Sequence, residues 1–476
     1  MVGHSVLAMG GVAVAPNNFC SQVHVPPALL PANGSAQDLL GRVLRSAADE
    51  PHAVALFRCD PCSSSRSSSA NAGGSVSRCG LTAQAEAIAE AVVEASDQQP
   101  IGEGPIGICF CGTTSAAIAA ILAARVLGRM YLPLDASASS LERMRLICEA
   151  AGCTALICDG GSAAVAAAVS RGDLPVVNVD HARTGTANES ARVVERMLRE
   201  RARASAHSAE CILQTKQANG NIMVSADAAL YLMYTSGSTG EPKGVVGTEA
   251  GALSRCDWQA DSFPWAASDV TLARTSIGFV DHVAEILAPL MAGVPIVVLA
   301  QATGQSPWRE PSVLLSTIRD FNISRLVVVP SLLWELLRLG PLRETAPSLQ
   351  HLHCSGEPLP AALAENALDG ASDSLRLINL YGCTEVAADV TAHVLSRATA
   401  CATHKGSSLM PVGSALSRCN TLLLVKHGQC WAEPQGDEVG EVFVSGAHVA
   451  NGYYRDPQAT AAAFVWLRPQ FEPAPR

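Results

Sequence analysis

Short apolar runs alternate with helix-periodic segments through most of the chain. Pro105 to Cys111 reads as a buried strand, followed by a Gly-Thr-Thr-Ser turn and an Ala-rich helix predicted over Ala116 to Leu127. Further short strands are predicted at Ala155 to Cys158, Val176 to Val179, Tyr231 to Tyr234, Pro295 to Leu299, Leu326 to Val329, Leu352 to Cys354 and Leu375 to Leu380. Helical patterns such as Ser331 to Leu339 fall between several of them. Continuously apolar strands separated by helices imply parallel sheets covered on both faces, an α/β architecture. After about Cys401 the pattern changes. Thr421 to Lys426 and Glu441 to Ser445, divided by Gly, Pro and acidic turns, read as antiparallel or barrel strands.

Two stretches break the alternation and read as surface insertions. Ser63 to Ser77 is Ser/Gly-rich and cannot build a core. Glu189 to Gly220 is polar and Arg/Ala-rich, with a solvated helix predicted around Ala191 to Ala204. The expected organisation is a variable N-terminus (1–35), a large domain (36–400) with insertions near 60–78 and 185–222, and a partial β-barrel (401–476).

Composition narrows the function. With 476 residues the chain is long enough for about three domains or subdomains. Thirty-three Lys and Arg against 43 Asp and Glu give a net charge of −10, which argues against a nucleic-acid surface. No membrane span is expected: the best apolar stretch, Ile286 to Ala300, is broken by Pro289, Gly293 and Pro295 and falls short of the ~20 residues needed. The first twenty residues contain no Lys or Arg, unlike a secretory or transit peptide. Sixteen scattered Cys in so large a chain read as reduced thiols of a cytoplasmic protein. Cys59-Asp60-Pro61-Cys62 has zinc-like local spacing, but no His-x-x-x-His follows, so loop cysteines are the simpler reading.

The most informative stretch is Tyr231-Leu-Met-Tyr-Thr-Ser-Gly-Ser-Thr-Gly-Glu-Pro-Lys-Gly244. A strand runs into a loop holding three Gly, four Ser or Thr hydroxyls and Lys243. Glycines expose backbone N–H groups, hydroxyls donate hydrogen bonds and the lysine adds a compact positive charge, an inventory that suits a polyphosphate. The plainer alternative is a flexible Ser/Gly turn. A Walker loop is excluded, because Gly244 follows Lys243 and Pro242 stands where a helix should begin. No Gly-x-Ser-x-Gly elbow occurs here.

Met233 to Gly244 resembles the signature loop of the adenylate-forming superfamily: acyl-CoA synthetases, luciferases and adenylation domains of peptide synthetases. Other segments fall in that family's order. Arg125 to Asp135 resembles its early Gly-x-x-Tyr-x-Pro-x-Asp element, and Ser355-Gly356-Glu357-Pro358 the element along the adenine. Asn379-Leu-Tyr-Gly-Cys-Thr-Glu385 resembles the Tyr-Gly-x-Thr-Glu motif. Gly440 to Gly446 followed by Gly452-Tyr-Tyr resembles the late Gly-Glu-Leu strand. The resemblance covers roughly residues 80 to 465 and implies two flavodoxin-like parallel-sheet subdomains plus the partial barrel, the N-terminal domain of an adenylate-forming ligase.

It also implies roles. A carboxylate attacks the α-phosphate of ATP, giving acyl-adenylate and pyrophosphate, so charge stabilisation dominates catalysis. Thr235, Ser236, Gly237, Ser238, Thr239, Gly240 and Lys243 are expected around the β- and γ-phosphates. Thr384 is expected on the α-phosphate and Glu385 on Mg²⁺. Tyr381, with Gly382 beside it, is expected against adenine next to the Gly356-Glu357-Pro358 backbone. Lys243, Thr384 and Glu385 form the expected catalytic set. The acyl group then passes to a phosphopantetheine thiol, on CoA or on a carrier protein domain.

Ser276 to Glu285 resembles the element that forms the acid pocket. In adenylation domains for α-amino acids the ammonium-binding Asp directly follows the Phe; here Val280 intervenes between Phe279 and Asp281. On a helix one residue is about 100° and ~1.5 Å. A β-amino group sits one C–C bond, also about 1.5 Å, farther from its carboxylate. Val280 and Asp281 therefore resemble the β-alanine-activating branch of the family. Val327, Ser355, Leu380, Ala388 and Asp389 also fit it, whereas Ala284 and His353 do not. Asp389 is expected as a second ammonium anchor. The plainer reading makes Asp281 a helix N-cap and His282 structural.

After Asn451 to Asp456 the family continues to a Thr-Gly-Asp element, a hinge and a lid domain with a catalytic lysine. No Thr-Gly-Asp occurs beyond residue 456 and no Lys after Lys426, so the ribose anchor and lid are expected to be missing, as in a fragment. β-Alanine adenylation is the expected function. An acyl- or aryl-CoA ligase, or a nucleotide-binding remnant with little activity, are the alternatives.

Overall fold

The structure, a computed structural model, describes residues 5–14, 39–60, 74–96, 104–181, 189–197, 229–235, 242–299, 307–399, 407–427, 430–432 and 438–466. Three sheets organise them. The first has six strands in the order Val176–Asn178, Ala155–Cys158, Ile106–Phe110, Tyr131–Asp135, Ala229–Thr235, Lys243–Thr248. All pair in parallel except the last, which forms an antiparallel hairpin with Ala229–Thr235. The second has nine strands: Ser414–Ala415, Thr391–Leu395, Arg376–Tyr381, His351–Cys354, Arg325–Val328, Thr271–Leu272, Ile296–Leu299, Val54–Cys59 and Ser75–Ser77. Its six central strands are parallel and its two ends antiparallel.

The strand sequences explain the layering. Ile106–Phe110, Ala155–Cys158 and Ile296–Leu299 are buried at every position, so both faces of each sheet need cover. Helices Arg78–Ala95, Ser115–Val126 and Asp281–Ala292 share one core with both sheets: Ile88, Ile118 and Ile286 belong to the same cluster as Ile106, Ile108, Ile296 and Val298. Ala dominates Ser115–Val126 because this helix is surrounded; Thr114 caps it by accepting from Ala117 N at 3.2 Å. A second cluster, with Leu314, Leu333 and Leu368, covers strands Arg325–Val328, His351–Cys354 and Arg376–Tyr381.

The third sheet is antiparallel throughout, in the order Cys430–Ala432, Cys419–His427, Gly440–Gly446, Ser5–Val14, Phe464–Trp466. The α/β architecture with a separate antiparallel sheet follows the predicted pattern. Three local expectations change. Ser5–Val14, read as variable N-terminus, supplies a strand between Gly440–Gly446 and Phe464–Trp466. Ser75–Ser77, read as insertion, is an edge strand on Val54–Cys59. The segment read as a solvated helix is described over 189–197, where it is helical and buries Val194 and Met197 against Leu40, Leu44 and Cys79. An amphipathic stripe within an Arg-rich segment is enough to dock it. Among the described residues no helix is long and apolar enough to cross a membrane.

Candidate active site

Among the described residues, Thr235, Ser355 and Tyr381 lie at or just beyond the carboxyl ends of parallel strands, where open α/β sheets bind ligands. Strand Ala229–Thr235 ends at Thr235, paired with Lys243 across the hairpin. Thr235 Oγ1 donates to the Lys243 carbonyl at 3.4 Å. Ser236, Gly237, Ser238, Thr239 and Gly240 lie outside the described residues. Strands His351–Cys354 and Arg376–Tyr381 are neighbours in register, Cys354 opposite Asn379, so the Ser355–Pro358 turn and the Tyr381–Glu385 turn emerge side by side.

Tyr453 joins two of the expected catalytic groups. Its hydroxyl donates to Glu385 Oε1 at 2.9 Å, and the Lys243 ammonium sits 5.2 Å from its ring centroid. Backbone bonds fix the arrangement: Val246 N to Gly452 O at 3.0 Å, Tyr454 N to Gly244 O at 2.7 Å and Ala450 N to Glu385 O at 2.8 Å. Tyr231 OH donates to the Thr384 carbonyl at 3.4 Å, tying the first sheet to the 3₁₀ turn Thr384–Val386. Lys243, Thr384 and Glu385 thus converge from distant parts of the sequence. Among the described residues no group of three or more His, Cys, Asp or Glu is placed to hold a metal. A single carboxylate suits Mg²⁺, which is bound by one or two carboxylates plus substrate phosphates.

On the adjacent rim, Gly356, Glu357 and Pro358 are exposed and Tyr381 and Gly382 half-buried. Glu357 uses its side chain structurally: its carboxylate accepts from Ser331 N and Oγ at 2.9 and 2.8 Å, at the start of helix Pro330–Leu337. Its backbone stays at the rim. Gly382 is dictated by crowding, since a Cβ there would stand 1.9 Å from the Ala388 carbonyl oxygen.

The acid pocket forms at the start of helix Asp281–Ala292. The cap position is Val280, with no side-chain capping bond, so Asp281 is not the N-cap of the plainer reading. Val280 is buried and Asp281 half-buried. His282 locks the helix to the first sheet. Its Nδ1 lies 2.7 Å from the Phe279 carbonyl and its Nε2 3.0 Å from the Tyr131 hydroxyl. A carbonyl can only accept, so Nδ1 carries the proton and Nε2 accepts from Tyr131. Burial lowers this imidazole to about 4, which keeps it neutral.

Asp281 feels Ser355, Asp389 and Arg255. Burial first and the Asp389 charge second push its carboxyl up to about 6; Arg255 and the Ser355 hydroxyl pull the other way. Among the described residues no Lys or Arg forms an ion pair with Asp281, whereas Asp389 pairs with Arg255 Nε at 2.8 Å. Ser355 Oγ donates to Asp389 at 3.1 Å. Leu380, on strand Arg376–Tyr381, is buried. Val327 lines a small cavity one helical turn from Asp281, together with Ala284, Glu285, His353 and Gln259. Sequence reasoning missed Arg255 and gave no role to Tyr453. An arginine spaced among Ala252, Cys256 and Gln259 on one helix face was the available signal for the first.

A family model described as "AMP-binding enzyme" matches residues 45–454. The chain belongs to the AMP-binding enzyme family. Among similar proteins, the beta-alanyl-bioamine nonribosomal peptide synthetase ebony of Drosophila melanogaster is 38% identical over 245 residues, covering 49% of this chain and 26% of that protein. Tyrocidine synthase 3 of Brevibacillus parabrevis is 32% identical over 256 residues, 54% of this chain and 4% of the synthase. The matched part of the chain therefore spans 26% and 4% of the length of these relatives. The N-terminal subdomain of Klebsiella oxytoca NpsA, solved with 3-hydroxybenzoyl-AMSN, has a TM-score of 0.65 at 22% identity and covers 92% of this chain and 94% of that one. PA1221, a nonribosomal peptide synthetase protein with adenylation and PCP domains, has a TM-score of 0.67 at 24% identity, covering 92% and 64%. This AMP-binding chain shares their fold.

Proposed function

We propose that the chain activates β-alanine or a related β-amino acid by ATP-dependent adenylation and then passes it to a phosphopantetheine thiol. A carboxylate oxygen bonds to the α-phosphorus of ATP while the bond to the bridging oxygen breaks and pyrophosphate leaves. The thiol sulfur then bonds to the acyl carbon, AMP leaves and the thiol proton goes to solvent. Lys243 and Thr235, with the Ser236 to Gly240 loop, hold the β- and γ-phosphates; Thr384 holds the α-phosphate; Tyr381 and the Gly356-Glu357-Pro358 backbone hold the adenine. Glu385 would hold Mg²⁺ beside the phosphates, and the ion would supply charge neutralisation there. The family match supports adenylation, the name of ebony supports a β-alanyl group, and the PCP domain of PA1221 supports a carrier as acceptor. Eleven of the described cysteines are free, which supports a reducing, cytoplasmic setting.

The observation that carries the substrate is Asp281: a half-buried carboxylate at the start of helix Asp281–Ala292, next to the buried Val280 and paired with no described cation. An ammonium there gains a charge-assisted contact that an uncharged tail cannot make. The test compares two non-hydrolysable adenylate analogues by titration calorimetry, β-alanyl- and propionyl-sulfamoyladenosine. The first is expected to bind at least about 30-fold tighter, and Asp281→Asn to bring the two within about threefold. Equal affinity in the unaltered chain would transfer the assignment to a simple acyl-CoA ligase.

A further inference from the structure

Arg255 occupies the middle of helix Glu249–Ser262, and its side chain and that of Asp389 are 3% and 1% exposed. Its Nε donates to Asp389 Oδ2 at 2.8 Å, its Nη1 donates to Gln259 Oε1 at 3.1 Å, and its guanidinium carbon lies 4.9 Å from the Trp258 ring centroid. Ser355 donates to the other Asp389 oxygen at 3.1 Å. Both Asp389 oxygens are therefore taken within the chain. Two histidines complete the surroundings, His353 from the neighbouring strand and His448 from the loop after Gly440–Gly446. Both are buried and held neutral, first by burial and then by Arg255 itself.

The charge sum is then simple. Asp281 and Asp389 bring two negative charges and Arg255 one positive, leaving one negative charge; Glu285, one turn along, faces a cation of its own in Arg274. We infer that Arg255 is a specificity-setting positioning residue: it neutralises Asp389 and leaves Asp281 as the seat for a single ammonium, so the pocket selects an acid with one amino group over both an uncharged acid and a diamino acid. The inference rests on the proposed ammonium–Asp281 contact. Without Arg255, the charges of Asp281 and Asp389 oppose each other's ionisation with no cation to relieve them. Without Asp389, the Arg255 charge, which already acts on Asp281, has no buried carboxylate of its own, and the ammonium seat is cancelled.

The opposite idea, Asp389 as a direct anchor, makes a different prediction for a charge-neutral double change. The readout is the ratio of dissociation constants, propionyl- over β-alanyl-sulfamoyladenosine, measured by titration calorimetry on the full chain. The ratio cancels damage common to both ligands. Asp389→Asn is expected to collapse it to within about threefold of unity. Arg255→Gln with Asp389→Asn together, which removes both charges, is expected to restore it to within about threefold of the unaltered chain. A collapsed ratio in the double variant overturns the inference and makes Asp389 an anchor; so does an unchanged ratio in Asp389→Asn. If Asp389→Asn does not fold, the double variant carries the test alone. An unaltered ratio in Asp281→Asn instead removes the underlying reading, which separates the two failures.

Discussion

Asp281 carries a pH signature that an ammonium ligand reads and an uncharged one does not. Its carboxyl is pushed up to about 6, with burial the largest cause and Asp389 the next. The groups facing it are Asp389, Arg255, the Ser355 hydroxyl and Glu285 one turn along, itself raised to about 7 by burial. A bound ammonium requires the ionised form, while the ammonium keeps its own proton until about pH 10. Affinity for the β-alanyl analogue is therefore flat above about pH 7 and falls as the pH drops through 6, because each ligand must first displace a proton. From about pH 7.5 to about pH 5 its dissociation constant should rise roughly tenfold, and that of the propionyl analogue less than about twofold. Calorimetry at the two pH values measures both; parallel changes would remove Asp281 as the reader of the ammonium. At this scale the sequence was uneven. The one-residue offset of Asp281 from Phe279 could be read directly, because helical rise converts position into distance. Arg255 could not, because its partner Asp389 lies 134 residues away and only folding brings them together.

Strand ends, rather than whole strands, decide where the chemistry sits. The buried parallel strands were legible because a strand covered on both faces is continuously apolar. The hairpin strand Lys243–Thr248 was not, since Lys243, Gly244, Gly247 and Thr248 mask its alternation, and neither was the edge strand Ser75–Ser77 inside a Ser-rich stretch. The turn after Arg376–Tyr381 is the tightest element of the site. It reverses through Gly382 to bring Asp389 back beside Tyr381, with Ala387 and Ala388 at φ of 55° and 81°, a left-handed conformation rare for residues other than glycine. An added methyl at Gly382 would collide with backbone, which cannot rotate away as a side chain can. Gly382→Ala is expected to destabilise the chain by about 1–3 kcal/mol in urea unfolding. It should also weaken binding of both analogues, because Tyr381 and Thr384 shift with the turn. Gly278→Ala is the control: it is exposed, its added carbon would meet nothing closer than Ser276 Oγ at 3.6 Å, and it should leave stability within about 0.5 kcal/mol.

Across the whole molecule, the candidate site depends on all three sheets. The first brings Thr235 and Lys243, the second Ser355, Tyr381 and Glu385, and the chain leaving the third brings Tyr453 over Lys243 and onto Glu385. The third sheet is held from an unexpected direction. Strand Ser5–Val14 pairs Val6 to Met9 with Ser445 to Val442 on one side and Ser5 to Leu7 with Trp466 to Phe464 on the other. Without it, Phe464–Trp466 loses the strand it pairs with, and Gly440–Gly446 presents a row of unpaired backbone groups. Phe464 packs edge-on against Tyr453 with ring centroids 5.6 Å apart, so the loss reaches the site through one aromatic contact. Removing residues 1–14 should therefore speed amide exchange at 442–445 and 464–466 by at least about tenfold, while strand Ile106–Phe110, inside the first sheet, exchanges as before. The same truncation should weaken both adenylate analogues equally, because Tyr453 bears on Lys243 and Glu385 and not on Asp281. Unchanged exchange at 464–466 would mean that this strand finds its support elsewhere; a selective loss of the β-alanyl analogue would place the N-terminal strand in contact with the acid pocket rather than with the phosphate side of the site.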